Sequence, residues 1–226
     1  MIKSIKQLTG FESGLWIFSL IVVAGSFFIG GTDNYLTLTA SLVGVTALIF
    51  VSKGDVTGQI LTVIFSILYA IISYSLDYYG EMITYLGMTM PIALMSVVSW
   101  IRNPYDEKEV KVAHLSKGQT LKVFILAMIV TFLFYFVLKY FGTANLIVST
   151  ISITTSFLAS FFMYLRSSAY ALSYAANDIV LIILWLMASI DNISYLPMIA
   201  CFVMFFINDM YGFFNWRKMK RRQTEK

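Results

Sequence analysis

The stretch NDIVLIILWLMASIDNISYLPMIACFVMFFINDMYGFFNW, residues 177–216, decides the fold. It holds two apolar runs joined through Asp191-Asn192, and neither alternates polar with apolar residues. A helix crossing a bilayer needs about 20 mostly apolar residues, and lipid obliges the backbone to satisfy its own hydrogen bonds. A transmembrane barrel would instead show alternating segments of about ten residues. The stretch therefore predicts a hairpin of membrane helices. Each run nevertheless carries an Asn-Asp pair, Asn177-Asp178 and Asn208-Asp209. A carboxylate at the bilayer centre costs about 2.5–3.5 kcal/mol on insertion scales, so such a residue normally faces a cavity or a partner.

The rest of the 226-residue chain is of the same kind: 59% of its residues are apolar, 12% are charged, and the mean hydropathy is +0.80. Apolar runs occupy 14–30, 35–52, 58–76, 79–101, 120–141, 144–165, 169–190 and 193–216. Soluble domains are about 45–50% apolar and 25% charged. This composition excludes a soluble enzyme, a disulfide scaffold (Cys201 is the single cysteine) and a nucleic-acid binder, despite a pI near 9.0. The first run follows Lys3 and Lys6 as a signal peptide would, but Gly25, Ser26, Gly30 and Gly31 make no A-x-A cleavage site, so a retained span is expected.

The pI finds its explanation in topology. Placing the N-terminus, the 52–57 loop, the 102–119 linker with the adjoining Lys122, Arg166 and the tail on one side puts 15 of the 16 basic residues there, leaving only Lys139 opposite. Asp33, Asp77, Glu81 and Asp191 fall to the other side. The positive-inside rule then predicts both termini in the cytoplasm. Two stretches share a layout, running from Lys53 through Asp77 to Trp100 and from Arg166 through Asp191 to Trp216. The predicted fold is an all-α membrane protein with eight transmembrane helices in a 1+3+1+3 arrangement. Two SWEET-like triple-helix bundles and a linker helix form parallel pseudo-repeats about an axis along the membrane normal. One integral membrane domain is expected: a first half over 14–101 that includes the extra first helix, a linker over 102–119, a second half over 120–216 and a basic tail over 217–226.

Candidate binding residues are the polar ones that lipid should exclude. Asn177, Asp178, Asn208 and Asp209 fall in one layer between the midplane and the cytoplasmic side. They read either as a ligand site or as interhelical packing contacts. In the third span Gln59, Thr62, Ser66, Tyr69 and Ser73 follow a 3-4-3-4 spacing and share a helix face. Ser and Thr can bond their own backbone there, whereas Gln59 and Tyr69 cannot easily do so. Trp185 lies on the Asp178 face, where its ring either stacks on a ligand or packs in the core. Trp100 and Trp216 are expected as interfacial anchors, and Pro91 as a mid-span kink. His114, the single histidine, is expected at the surface, and Cys201 as buried filler. No metal site and no cofactor are expected, and no P-loop or protease motif occurs.

The segments KGDVTGQILTVIFSILYAIISYSLDYYGEM (53–82) and 177–216 resemble the corresponding regions of PnuC-type vitamin transporters. Lys53-Gly54, Tyr69, Tyr79-Gly80-Glu81, Asp178, Tyr211-Gly212 and Trp216 carry the match, over about 35–217. The resemblance implies a 3+1+3 core related to SWEETs, sometimes with an added first helix, in the cell's inner (plasma) membrane. It implies uptake of nicotinamide riboside, a nucleoside-like vitamin and NAD precursor, by facilitated diffusion. A cytoplasmic kinase would then trap the product by phosphorylation. It also points to a homo-oligomer, with a trimer the expected state. Alternatives within transport are thiamine, riboflavin or a deoxyribonucleoside as cargo, or proton coupling through Asp178 and Asp209. On these readings the substrate-binding candidates are Asn177, Asp178, Trp185, Gln59, Tyr69, Asn208 and Asp209.

Overall fold

The computed structural model describes residues 2–29, 35–75, 78–106, 109–143, 145–191 and 195–225. Among them, eight helices are long and apolar enough to cross a membrane: α1 Gly10–Ile29, α2 Tyr35–Ser52, α3 Val56–Ser75, α4 Tyr79–Arg102, α5 Lys117–Tyr140, α6 Leu146–Tyr164, α7 Ala169–Ile190 and α8 Leu196–Thr224. The expected spans are recovered with boundaries shifted by a few residues. The largest shift is in α8, which continues through most of the basic tail.

Local chemistry fixes several of these ends. At the start of α1 Thr9 and Glu12 make a reciprocal cap, with Thr9 N–H donating to Glu12 Oε2 at 2.6 Å and Glu12 N–H to Thr9 Oγ1 at 3.3 Å. Ser116 and Gln119 make the same box at α5. In α4 the backbone passes through a π-helical turn at Tyr85–Thr89 immediately before Pro91. Proline removes a backbone donor and crowds the carbonyl four residues back, and a π-turn absorbs that mismatch. The expected kink thus takes the form of a widened turn.

Six helices close a ring in the order α2, α3, α4, α6, α7, α8 and back to α2, each packed on the next. Helix α1 lies outside it against α2 and α8, and α5 lies outside against α6. Their exposure to lipid accounts for bare apolar side chains such as Phe28 on α1 and Phe132 on α5.

The same turn is built twice, 112 positions apart. Gly54 (φ 70°) and Arg166 (φ 57°) both adopt the left-handed conformation. Gly54 N–H donates to Val51 O and Arg166 N–H to Met163 O, each at 2.9 Å. One residue on, Asp55 N–H donates to Phe50 O and Ser167 N–H to Phe162 O. The linker bonds both turns, with Val110 N–H donating to Gly54 O and Ala113 N–H to Arg166 O. These turns, both chain ends and the linker gather at one end of the bundle. There Ser4 meets Thr57, Arg222 pairs with Glu109, and Val112 N–H donates to Gln223 Oε1. His114 is exposed, 3.1 Å from Thr224 Oγ1.

Three expectations about placement change. Trp100 and Trp216 are fully buried rather than interfacial, with ring centroids 5.5 Å apart. The indole of Trp100 donates to Met163 O at 3.2 Å and that of Trp216 to Val51 O at 3.0 Å. Each ring satisfies a carbonyl at the end of the opposite half's first ring helix, which outweighs its preference for the interface. Glu81, expected among the outer acidic residues, lies inside the first turn of α4 at 1% exposure, where the helix start packs against neighbouring helices. Of the other outer acidic residues, Asp33 and Asp77 lie outside the described residues, as does the side chain of Asp191.

Candidate substrate site

A cavity lies inside the ring, reached by all six of its helices. From α2 it receives Gly44, Ala47 and Val51; from α3 Gln59, Thr62 and Phe65; from α4 Tyr85 and Thr89. The second half contributes Ser156 and Met163 on α6, Tyr174, Asn177 and Asp178 on α7, and Phe205 and Asp209 on α8. Positions 44 and 156, 51 and 163, and 62 and 174 are again 112 apart, so matching faces of the two halves line it. The free space is about 40 Å³, room for about three waters. Side chains must therefore move to admit any organic solute.

The cavity's chemistry comes from amides and carboxyls buried among aromatic rings. Gln59 is 1% exposed and its Nε2 has no hydrogen-bond partner. On the facing wall Asn177 Oδ1 accepts from Thr155 Oγ1 at 2.8 Å and Ser156 Oγ at 2.9 Å, with Ser152 Oγ at 3.5 Å. Those hydroxyls hold the carboxamide in one orientation, and its NH2 is the end left to the cavity. Asp178 and Asp209 are both buried on the cavity wall, and Asp178 Oδ2 has no hydrogen-bond partner. Two carboxyls buried in one small cavity do not both ionise, so the pair presents at most one negative charge. Buried polar atoms of native proteins are almost always partnered. Gln59 Nε2 and Asp178 Oδ2 are thus an unpartnered amide and an unpartnered carboxyl oxygen on the walls of one cavity.

Four of the seven expected residues, Gln59, Asn177, Asp178 and Asp209, meet at this cavity; three do not. Asn208 points the other way, donating to Ser19 Oγ on α1 at 3.0 Å and to Met204 O at 2.7 Å. It ties the outer helix to the ring, because neighbouring residues on a helix are about 100° apart and only Asp209 faces inward. Tyr69 and Trp185 are fully buried one layer out, where Trp185 Nε1 donates to Tyr69 Oη at 3.0 Å. Tyr69 backs the cavity wall, 4.3 Å between ring centroids from Tyr85 and 5.5 Å from Phe65. Thr62 and Ser66 bond backbone carbonyls of their own helix.

Several contributors escape the sequence reading. Phe65, Tyr85 and Phe205 supply the cavity's ring faces, yet in sequence they look like any aromatic of a span. Thr155 and Ser156 belong to the polar run SITTS at 152–156, whose density was a usable signal. Gly44 makes space: a Cβ there would collide with the Phe205 ring and lie 3.0 Å from Phe65. At the basic end Glu12 accepts from Lys53 Nζ and from Tyr211 Oη, both at 2.7 Å, which locks α1 onto the first repeated turn and onto α8.

A sequence profile described as Nicotinamide mononucleotide transporter matches residues 34–218. The chain belongs to that family. Among its relatives, a protein of Neisseria mucosa named nicotinamide riboside transporter PnuC is 27% identical over 222 residues, covering 96% of this chain and 84% of that one. A Haemophilus influenzae protein of the same name is 22% identical over 212 residues, covering 92% and 90%. The crystal structure of a vitamin B3 transporter named PnuC superimposes with a TM-score of 0.85 at 27% identity, covering 96% of this chain and 94% of that one. Family members are membrane transporters rather than enzymes, and the all-helical, eight-span architecture agrees with that solved fold.

Proposed function

We propose that this chain carries nicotinamide riboside across the membrane by facilitated diffusion. The observation that supports this reading most is the cavity in which Gln59 and Asn177 offer amide donors beside the Asp178 and Asp209 carboxyls, between aromatic rings. Nicotinamide riboside combines a cationic pyridinium, a carboxamide and ribose hydroxyls. In this reading the Asp178–Asp209 pair offsets the ring charge, and Gln59 and Asn177 bond the carboxamide and hydroxyls. Phe65, Tyr85 and Phe205 close on the ring faces.

The doubled turns and the closed ring support reading the helices as 1+3+1+3, with α2–α4 and α6–α8 as parallel repeats rocking about the cavity. The basic end then faces the cytoplasm of an inner (plasma) membrane, and the assembled state is a trimer. Product trapping falls to a cytoplasmic kinase. The carboxyl pair also favours a second reading, proton-coupled uptake, because it can bind and release a proton inside the cavity.

Counterflow in proteoliposomes tests the proposal. Liposomes loaded with unlabelled nicotinamide riboside should accumulate the labelled compound. Thiamine, riboflavin and deoxyribonucleosides should compete at least tenfold less well. Preferred exchange of one of those compounds would overturn the assigned cargo. Uptake that follows an imposed proton gradient would replace facilitated diffusion by the second reading.

A further inference from the structure

We infer that the groove between the start of α7 and the end of α8 is a binding site for one anionic phospholipid. Its apolar wall is Ala169 and Leu172 on α7 and Phe213 on α8, and its cationic wall is Arg217, Lys220 and Arg221. Spacings of four, seven and eight residues from Phe213 put all three cations on one face of α8. The opposite face is already committed. Arg222 pairs with Glu109, Gln223 bonds Val110 and Val112, and Trp216 and Met219 are buried.

No ion pair among the described residues takes up Arg217, Lys220 or Arg221. Glu225 and His114 also line the groove, which leaves three cations against one carboxylate. Arg217 is held against the wall, with Cζ 5.1 Å from the centroid of the Phe213 ring. Depth matches a lipid rather than a soluble anion. The Trp216 indole bonds Val51 O one residue from the end of α2, so Arg217 lies level with the end of that span. On the membrane side of the cations, Leu172 is 55% and Phe214 64% exposed. An acyl chain would lie along those side chains while its phosphate meets the three cations, an arrangement zwitterionic lipid fills with no net charge to match.

Native mass spectrometry of the full chain, titrated with phosphatidylglycerol or phosphatidylcholine, tests the site. One phosphatidylglycerol should be retained at a concentration at least tenfold below that needed for phosphatidylcholine. The Arg217→Gln/Lys220→Gln/Arg221→Gln variant should lose that preference. A control with equal charge loss at the same end, Lys111→Gln/Lys117→Gln/Lys122→Gln, should keep it. Equal loss in both variants would mean diffuse surface charge and overturn the site, as would no loss in either. Equal protection by soluble glycerol phosphate in a thermal-shift series would overturn the lipid assignment. Neither readout depends on the transported solute.

Discussion

Neutralising the Asp178–Asp209 pair in stages asks whether the cavity recognises charge. In the proposed reading the two carboxyls share one proton and keep one negative charge, and Asp178→Asn alone does not remove it. The new amide can donate to Asp209, which then carries the charge itself. The same holds for Asp209→Asn. Each single variant should therefore weaken nicotinamide riboside by only about fivefold, the scale of one altered hydrogen bond near 1 kcal/mol. The double variant has no charge to offer. Two unit charges about 4 Å apart at an effective dielectric of 20 attract by about 4 kcal/mol, and desolvation cancels a large part of that. A net loss of about 2–3 kcal/mol remains, or about 30- to 150-fold in Kd.

Calorimetric titration of purified protein with two ligands of nearly the same shape reads this directly. Nicotinamide riboside is cationic and its dihydro form is neutral. Only the cation should show the large loss in the double variant, while the dihydro form should change by less than about fivefold. A single variant losing as much as the double, or equal losses for both ligands, would refute the reasoning.

Other consequences are simpler. Asn208→Ala should lower thermal stability by about 1–2 kcal/mol through its lost bond to Ser19 on α1, while Kd measured by calorimetry stays within about threefold. Gly44→Ala drives the Phe205 ring toward the cavity, so the affinity in the same titration should fall at least tenfold, beyond an overpacking cost of about 1–3 kcal/mol in a thermal melt. The two left-handed turns should respond with opposite signs. Arg166→Gly relieves a backbone cost of about 1 kcal/mol and should raise the melting temperature. Gly54→Ala adds that cost plus a contact 2.8 Å from Met219 Cε and should lower it.

What the sequence made legible was whatever apolar surroundings throw into relief. Eight spans follow from run length alone, and Gln59, Asn177 and Asp178 stand out because lipid has no use for them. Direction around a helix axis was less legible. Asn208 and Asp209 are adjacent, and nothing in one sequence says which of them looks inward. Tyr69 and Trp185 lie on the expected faces, but a second layer of rings separates them from the cavity. Trp100 and Trp216 occupy span ends, where an interfacial anchor and a buried cross-link have the same sequence appearance. Phe65, Tyr85 and Phe205 were hidden by their likeness to ordinary core residues, and Glu81 by its likeness to the acidic residues of the outer turns.

The tryptophan exchange carries a mechanical consequence. Trp100 ends α4 yet its indole holds α6, and Trp216 ends α8 yet holds α2. Alongside them Ser99 Oγ donates to Tyr164 O and Asn215 Nδ2 to Ser52 O. The two halves are thus buckled to each other by reciprocal clasps whose indole rings touch. Neither clasp can slide without disturbing its mate, so parting the two halves at the basic end means breaking these four hydrogen bonds and the ring contact between them.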